Sequence, residues 1–195
     1  MSSQIQRSIK FSITIAVITF VLAAIFSIVS SSLLSNVIWY LGIIIVLIIV
    51  FIGIIFDMLG IASTAAEEAP FHAMASEKVP GARESVIIIR NADKFASFCN
   101  DVIGDISGIV SGTATAIVVL QISSLLGNND GSATHIGLSV LLTSLVAALT
   151  VGGKALGKHY AIHASTEIIM VTGRVIAFIQ SKLKINLLPQ GNKKK

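Results

Sequence analysis

The sequence predicts an all-α integral membrane protein with about four transmembrane helices, and three observations carry that expectation. First, 54% of its 195 residues are hydrophobic and only 12% are charged, against about 25% charged in soluble domains. Second, the apolar residues gather in runs long enough to cross about 30 Å of hydrocarbon at about 1.5 Å per residue. Third, the cations avoid the segments that would lie on one side of the bilayer. Aromatic residues make up 6% of the chain while glycine and serine are frequent, which suits closely packed helices rather than a β-barrel with aromatic girdles.

The first run, Phe11 to Val29, carries no charge and follows Arg7 and Lys10. Ser30, Ser31 and Ser32 after it resemble a cleavage region, but the apolar stretch exceeds a signal peptide's core and is read as a retained helix. The second span lies within Asn36 to Gly60. Trp39 and Tyr40 stand at headgroup depth near its start, and Ile43 to Phe56 is wholly apolar. From Ile61 to Phe95 charges intersperse short apolar groups, and Pro70 and Pro80-Gly81 are expected to divide the segment into short helices. Ala96 to Leu126 returns to membrane-like composition, Gly127-Asn128-Asn129-Asp130-Gly131 reads as a turn, and Ile136 to Val151 is the fourth span. Ala155 to Leu188 is amphipathic and precedes a basic tail, Lys193 to Lys195.

The chain therefore divides into two amino-terminal spans (1–60), short cytoplasmic helices (61–95), two further spans (96–153) and a juxtamembrane amphipathic helix with its tail (154–195). With the amino terminus inside, all 14 lysines and arginines fall in cytoplasmic segments. That is the bias by which the positive-inside rule orients a chain. The expected protein is multi-pass in the plasma membrane, with both termini cytoplasmic. The pI near 9.4 then reflects cations facing anionic lipid headgroups, and a nucleic-acid partner is unnecessary.

Charges in hydrocarbon cost about 2.5 to 3.5 kcal/mol each on insertion scales, so they mark partners or function. Asp57 lies near the end of the second span, Asp101 and Asp105 in the third, and Lys154 closes the fourth. Asp101 and Asp105, four apart, share a helix face with Ser97, Gly104 and Gly108 nearby. A hard cation would remove their repulsion, with Ser107, Ser111 and backbone carbonyls completing an oxygen shell. Equally, Lys154 and Lys94 would pair with the carboxylates and hold helices together. Composition leaves both open.

His159, His163 and Glu167 are spaced by four like helical metal ligands, but they lack a fourth ligand and read chiefly as polar residues of an interfacial helix. His72 and His135 stand alone in sequence. Cys99, the one cysteine, permits no internal disulfide and reads as a small apolar residue. No nucleophile–base set, phosphate loop or GxSxG element is present, so no enzyme and no organic cofactor are expected.

The order of elements from Ile54 onward resembles the membrane domain of the CNNM/CorB/CorC magnesium transporters. Phe56-Asp57 stands where that family's Ser-Gly-Ser-Glu-Thr-Ala-type motif begins, with Ser63-Thr64-Ala65 close behind. Ala82-Arg83 precedes Asn91-Ala92-Asp93-Lys94 at the spacing of its Asn-Pro-Asp-Arg-like start. Gly104-Asp105 resembles its Gly-Asn pair, displaced by about half a turn. Gly153-Lys154-Ala155-Leu156-Gly157-Lys158 resembles its last motif, Gly-Glu-Ile-x-Pro-Lys, with Lys154 in place of the glutamate and Gly157 in place of the proline.

The resemblance implies transport or binding of a divalent cation, magnesium or cobalt, in a homodimer standing without the CBS-pair module, so that any regulatory protein would be separate. Its implied ligands are Asp57, Asn100, Asp101 and Asp105, supported by Ser63, Thr64, Ser107 and the backbone near Gly104 and Gly152. Gly104, Gly108 and Gly112 would allow close packing between copies or within one. The alternative is a non-transporting scaffold or accessory protein in which Lys154 neutralises the carboxylates.

Overall fold

A computed structural model describes residues 2–126 and 133–183. Every element among them is helical, and four helices are long and apolar enough to cross a membrane: Ile9–Ser35, Trp39–Ala65, Ala92–Leu125 and Ala133–His163. The predicted turn at Gly127 to Gly131, the segment Lys184 to Leu188 and the basic tail lie outside the described residues. The chain forms two compact units, one of Met1–Ile54 with Asp101–Lys154 and the other of Ile55–Asn100 with Ala155–Lys195.

The first unit is built on α1 (Ser2–Ser35), the first part of α2 (Trp39–Ala65), α6 (Asp105–Leu125) and most of α7 (Ala133–His163). Helix α1 runs through Ser30 to Ser32 rather than ending there, since a run of small hydroxyl residues does not by itself stop a helix. At its end Ser35 Oγ donates to Ser32 O at 3.1 Å and Asn36 Nδ2 to the same oxygen at 2.9 Å.

Helices α1 and α6 run parallel. Ile15 and Leu22 pack with Val102, Ile106 and Val110, and Leu34 packs with Ala114 and Val118. Helix α2 is antiparallel to α6, since its Gly42 faces Val118 and its later Gly53 faces Ser107. Small residues at such crossings let backbones approach where lipid supplies no hydrophobic drive. Gln121 of α6 donates through Nε2 to Leu34 O at 2.8 Å and Val37 O at 3.0 Å, adding a second donor to Leu34 O, which also accepts from Val37 N at 3.3 Å, and supplying one to Val37 O in the link after α1.

The second unit holds the end of α2, α3 (Glu68–Ser76), α4 (Ala82–Arg90), α5 (Ala92–Ser97), the end of α7 and α8 (Ser165–Leu183). Pro70 does not break a helix; it sits in the first turn of α3, where its missing N–H is not needed. The turn into α4 uses two left-handed residues, Lys78 (φ 60°) and Gly81 (φ 87°). Phe71, Ile88 and Ile169 are fully buried in its core with Ala62, Ala82 and Ala161.

Helices α4 and α8 meet through small residues. A Cβ on Gly173 would strike Ser85 Oγ and Gly81 O, and one on Gly81 would strike the Arg174 backbone. Ser85 Oγ lies 2.9 Å from Gly81 O at the start of its own helix and, across the contact, 3.0 Å from Ile169 O. The amphipathic segment expected from Ala155 onward is two elements. Ala155 to His163 continue α7, and α8 starts after Ala164.

Candidate functional site

Between α5 and α6 the helix widens into seven residues of π-helix, Phe98–Gly104. Such insertions are rare and occur frequently at functional positions, because the extra residue per turn re-aims side chains and loosens carbonyls. Cys99, Val102 and Gly104 within it are buried, in keeping with the packing role read for the cysteine.

In the second unit, Asn100 turns its carboxamide oxygen against Gly60 so closely that a Cβ there would overlap it. Oδ1 of Asn100 is buried and accepts no hydrogen bond from the protein. An orphaned buried acceptor costs about 1 to 3 kcal/mol, and this one faces a residue whose own carbonyl is engaged. Ser63, fully buried, donates through Oγ to Gly60 O at 2.7 Å. Asp57, Gly60 and Ser63 stand three apart on α2 and so share one face. Asp57 is half-buried. Thr64 is exposed and returns its hydroxyl to Ile61 O at 2.9 Å.

The remaining predicted site residues belong to the first unit. Asp101 and Asp105 are exposed on the helix surface, whereas Gly104 and Ser107 are buried. Ser107 donates to Ile103 O at 2.7 Å and packs beside Gly53. Ser111 donates to Gly108 O at 2.9 Å. Gly152 is exposed, with open space where a Cβ would stand. Among the described residues no three His, Cys, Asp or Glu side chains are grouped to hold a metal ion.

Around these residues the sequence reading passed over Gly60 and a polar trio. The place of Gly60 midway between Asp57 and Ser63 marks the face. In the trio, His72 Nε2 lies 2.6 Å and Arg90 Nε 2.5 Å from Glu68 Oε1, and Arg90 Nη2 lies 3.2 Å from His72 Nε2. His72 is thus not isolated. The hydrogen bonds from His72 and then Arg90 hold the Glu68 carboxyl below its ordinary range. The rings of His159 and His163 lie 4.3 Å apart, and His163 Nδ1 is 2.8 Å from His159 O, so one of its nitrogens already faces a carbonyl. Comparison with protein-family models, curated proteins and solved structures finds no match to the chain.

Proposed function

We propose that this chain binds a divalent cation, magnesium in the first instance, at the polar face that Asp57, Gly60 and Ser63 present beside Asn100, and carries it across the membrane. The observation that carries this reading is the buried, unpartnered Asn100 Oδ1 held against Gly60 beside the π-helix. A carbonyl-type oxygen without a donor is an incomplete arrangement that a hard cation or its bound water completes. Ser63 gives its proton to Gly60 O and keeps lone pairs for a cation, and Asp57 supplies negative charge on the same face. The motif resemblance to the CNNM/CorB/CorC magnesium transporters supports the same ion class. It also supports assembly as a homodimer, while the distribution of the 14 lysines and arginines supports plasma-membrane insertion with both termini cytoplasmic.

The test is thermal unfolding of the purified full chain in detergent, followed by ion flux into liposomes. Magnesium at about a hundred times its dissociation constant adds about 2.7 kcal/mol to a folded state that binds it. The melting temperature is expected to rise with magnesium for the parent chain. Asn100→Ala is expected to abolish both the rise and the flux, and Asp57→Asn to weaken both. Asp101→Asn and Asp105→Asn are the comparators, and unchanged flux in both removes these exposed carboxylates from the pathway. No magnesium-dependent rise in the parent would overturn the proposal in favour of a non-transporting scaffold.

A further inference from the structure

Helix α8 has two apolar faces, and the fold uses only one of them. Ile168, Ile169, Met170, Thr172 and Gly173 are buried, with Ser85 and Gly81 closing on Gly173. On the opposite side Val171, Val175 and Phe178 are exposed by 57%, 51% and 61%. At about 100° per residue these three, with Lys182 and Arg174, fall on one stripe running down the helix. Lys182 Nζ stands over the Phe178 ring, 5.2 Å from its centroid, and Arg174 is exposed beside Val171 and Val175. The single acid on this side, Glu167, lies in the first turn of α8, where the helix dipole favours it.

We infer that this outer face of α8 lies on the anionic surface of the membrane, with Val171, Val175 and Phe178 dipped below the headgroups and Arg174 and Lys182 on lipid phosphates. Three observations converge on a lipid surface rather than a protein partner. Helix α8 starts one residue, Ala164, after the end of α7, a helix of membrane-crossing length, so it is tethered close to a bilayer. Its apolar stripe carries two exposed cations, Arg174 and Lys182, whose side chains are long enough to reach phosphates while their stems stay in hydrocarbon. The stripe is also narrow and discontinuous, as suits a helix resting about 5 to 10 Å into a headgroup layer rather than one filling a protein groove. Because the other face grips α4, lipid contact on α8 would hold the α4–α8 crossing against the bilayer. The inference needs only that α7 crosses a membrane; it does not depend on the cation proposal.

The experiment uses the full chain with Cys99→Ser and a single cysteine at either Val175 or Glu77, an exposed residue at the end of α3. Each is labelled with an environment-sensitive fluorophore and placed in nanodiscs of phosphatidylcholine, with or without phosphatidylglycerol. At Val175, aqueous acrylamide is expected to quench about fivefold less than at Glu77, while nitroxide on lipid acyl chains quenches strongly. Adding Arg174→Glu and Lys182→Glu is expected to restore acrylamide quenching in the anionic discs; circular dichroism and the Glu77 label verify that this variant is folded. Equal acrylamide quenching at both positions overturns the inference. So does protection of Val175 from acrylamide and nitroxide together, which would mean that a second copy or another protein covers the stripe. Indifference to the charge reversal overturns the role of the two cations.

Discussion

At Glu68 two donors converge on one carboxylate oxygen, His72 at 2.6 Å and Arg90 at 2.5 Å, tying the start of α3 to the end of α4. Because its folded-state pKa is depressed, Glu68 contributes stability that is fully present above the ordinary 4.5 of a glutamate. That contribution is lost as pH falls through the lower folded value. The deficit in melting temperature of Glu68→Gln relative to the parent is therefore expected at neutral pH and should close as pH drops below 4.5. A difference that stays constant down to acid pH would mean that the carboxylate's charge does not matter to the fold. None of this was legible in sequence: Glu68 and His72 stand four apart as many helical pairs do, but Arg90 joins them only through the left-handed turn at Lys78 and Gly81. At Asn100, likewise, residue type announced a candidate ligand. Its burial against Gly60 depends on a glycine whose significance appears only when α2 is packed.

At the level of elements, apolar run length gave the four long helices because hydrocarbon thickness leaves little choice of structure. Their ends were less legible. Serine and lysine terminate an apolar run without terminating a helix, so α1 extends from Ser2 to Ser35 and α2 continues through Ser63-Thr64-Ala65. The π-helix at Phe98–Gly104 left no trace in the pattern, since one extra residue in a turn displaces the apolar face by less than the scatter of Gly and Ser around it. Gln121 was overlooked for the same reason, as a lone amide among apolar and hydroxyl neighbours. Its two donated bonds to Leu34 O and Val37 O close the end of α1 in an apolar surrounding. Gln121→Leu leaves both carbonyls without that donor while removing an amide oxygen that is itself buried and unpartnered. The net cost is expected to be about 1 to 2 kcal/mol, read as a lower unfolding midpoint in detergent. An unchanged midpoint would show that those carbonyls find other donors.

At the level of the whole molecule, the two units separate the chain by composition. Met1–Ile54 and Asp101–Lys154 contain most of the long apolar runs, and Ile55–Asn100 and Ala155–Lys195 contain most of the charged residues. Four crossings, an even number, would place both termini on one side, and the distribution of arginines and lysines would choose which. Arg83, Arg90 and Lys94 lie between α2 and α6, whereas the link between α1 and α2, Asn36-Val37-Ile38, carries no charge. Since cytoplasmic segments retain cations during insertion, a single cysteine replacing Asn36, in a Cys99→Ser background, is expected to react with a membrane-impermeant maleimide added to intact cells. One replacing Arg83 should react only after the membrane is permeabilised. Reaction at both positions in intact cells would rule out a crossing between them, and the reverse pattern would invert the topology. In either event the cation bias would have to be explained by lipid or protein contacts rather than by orientation.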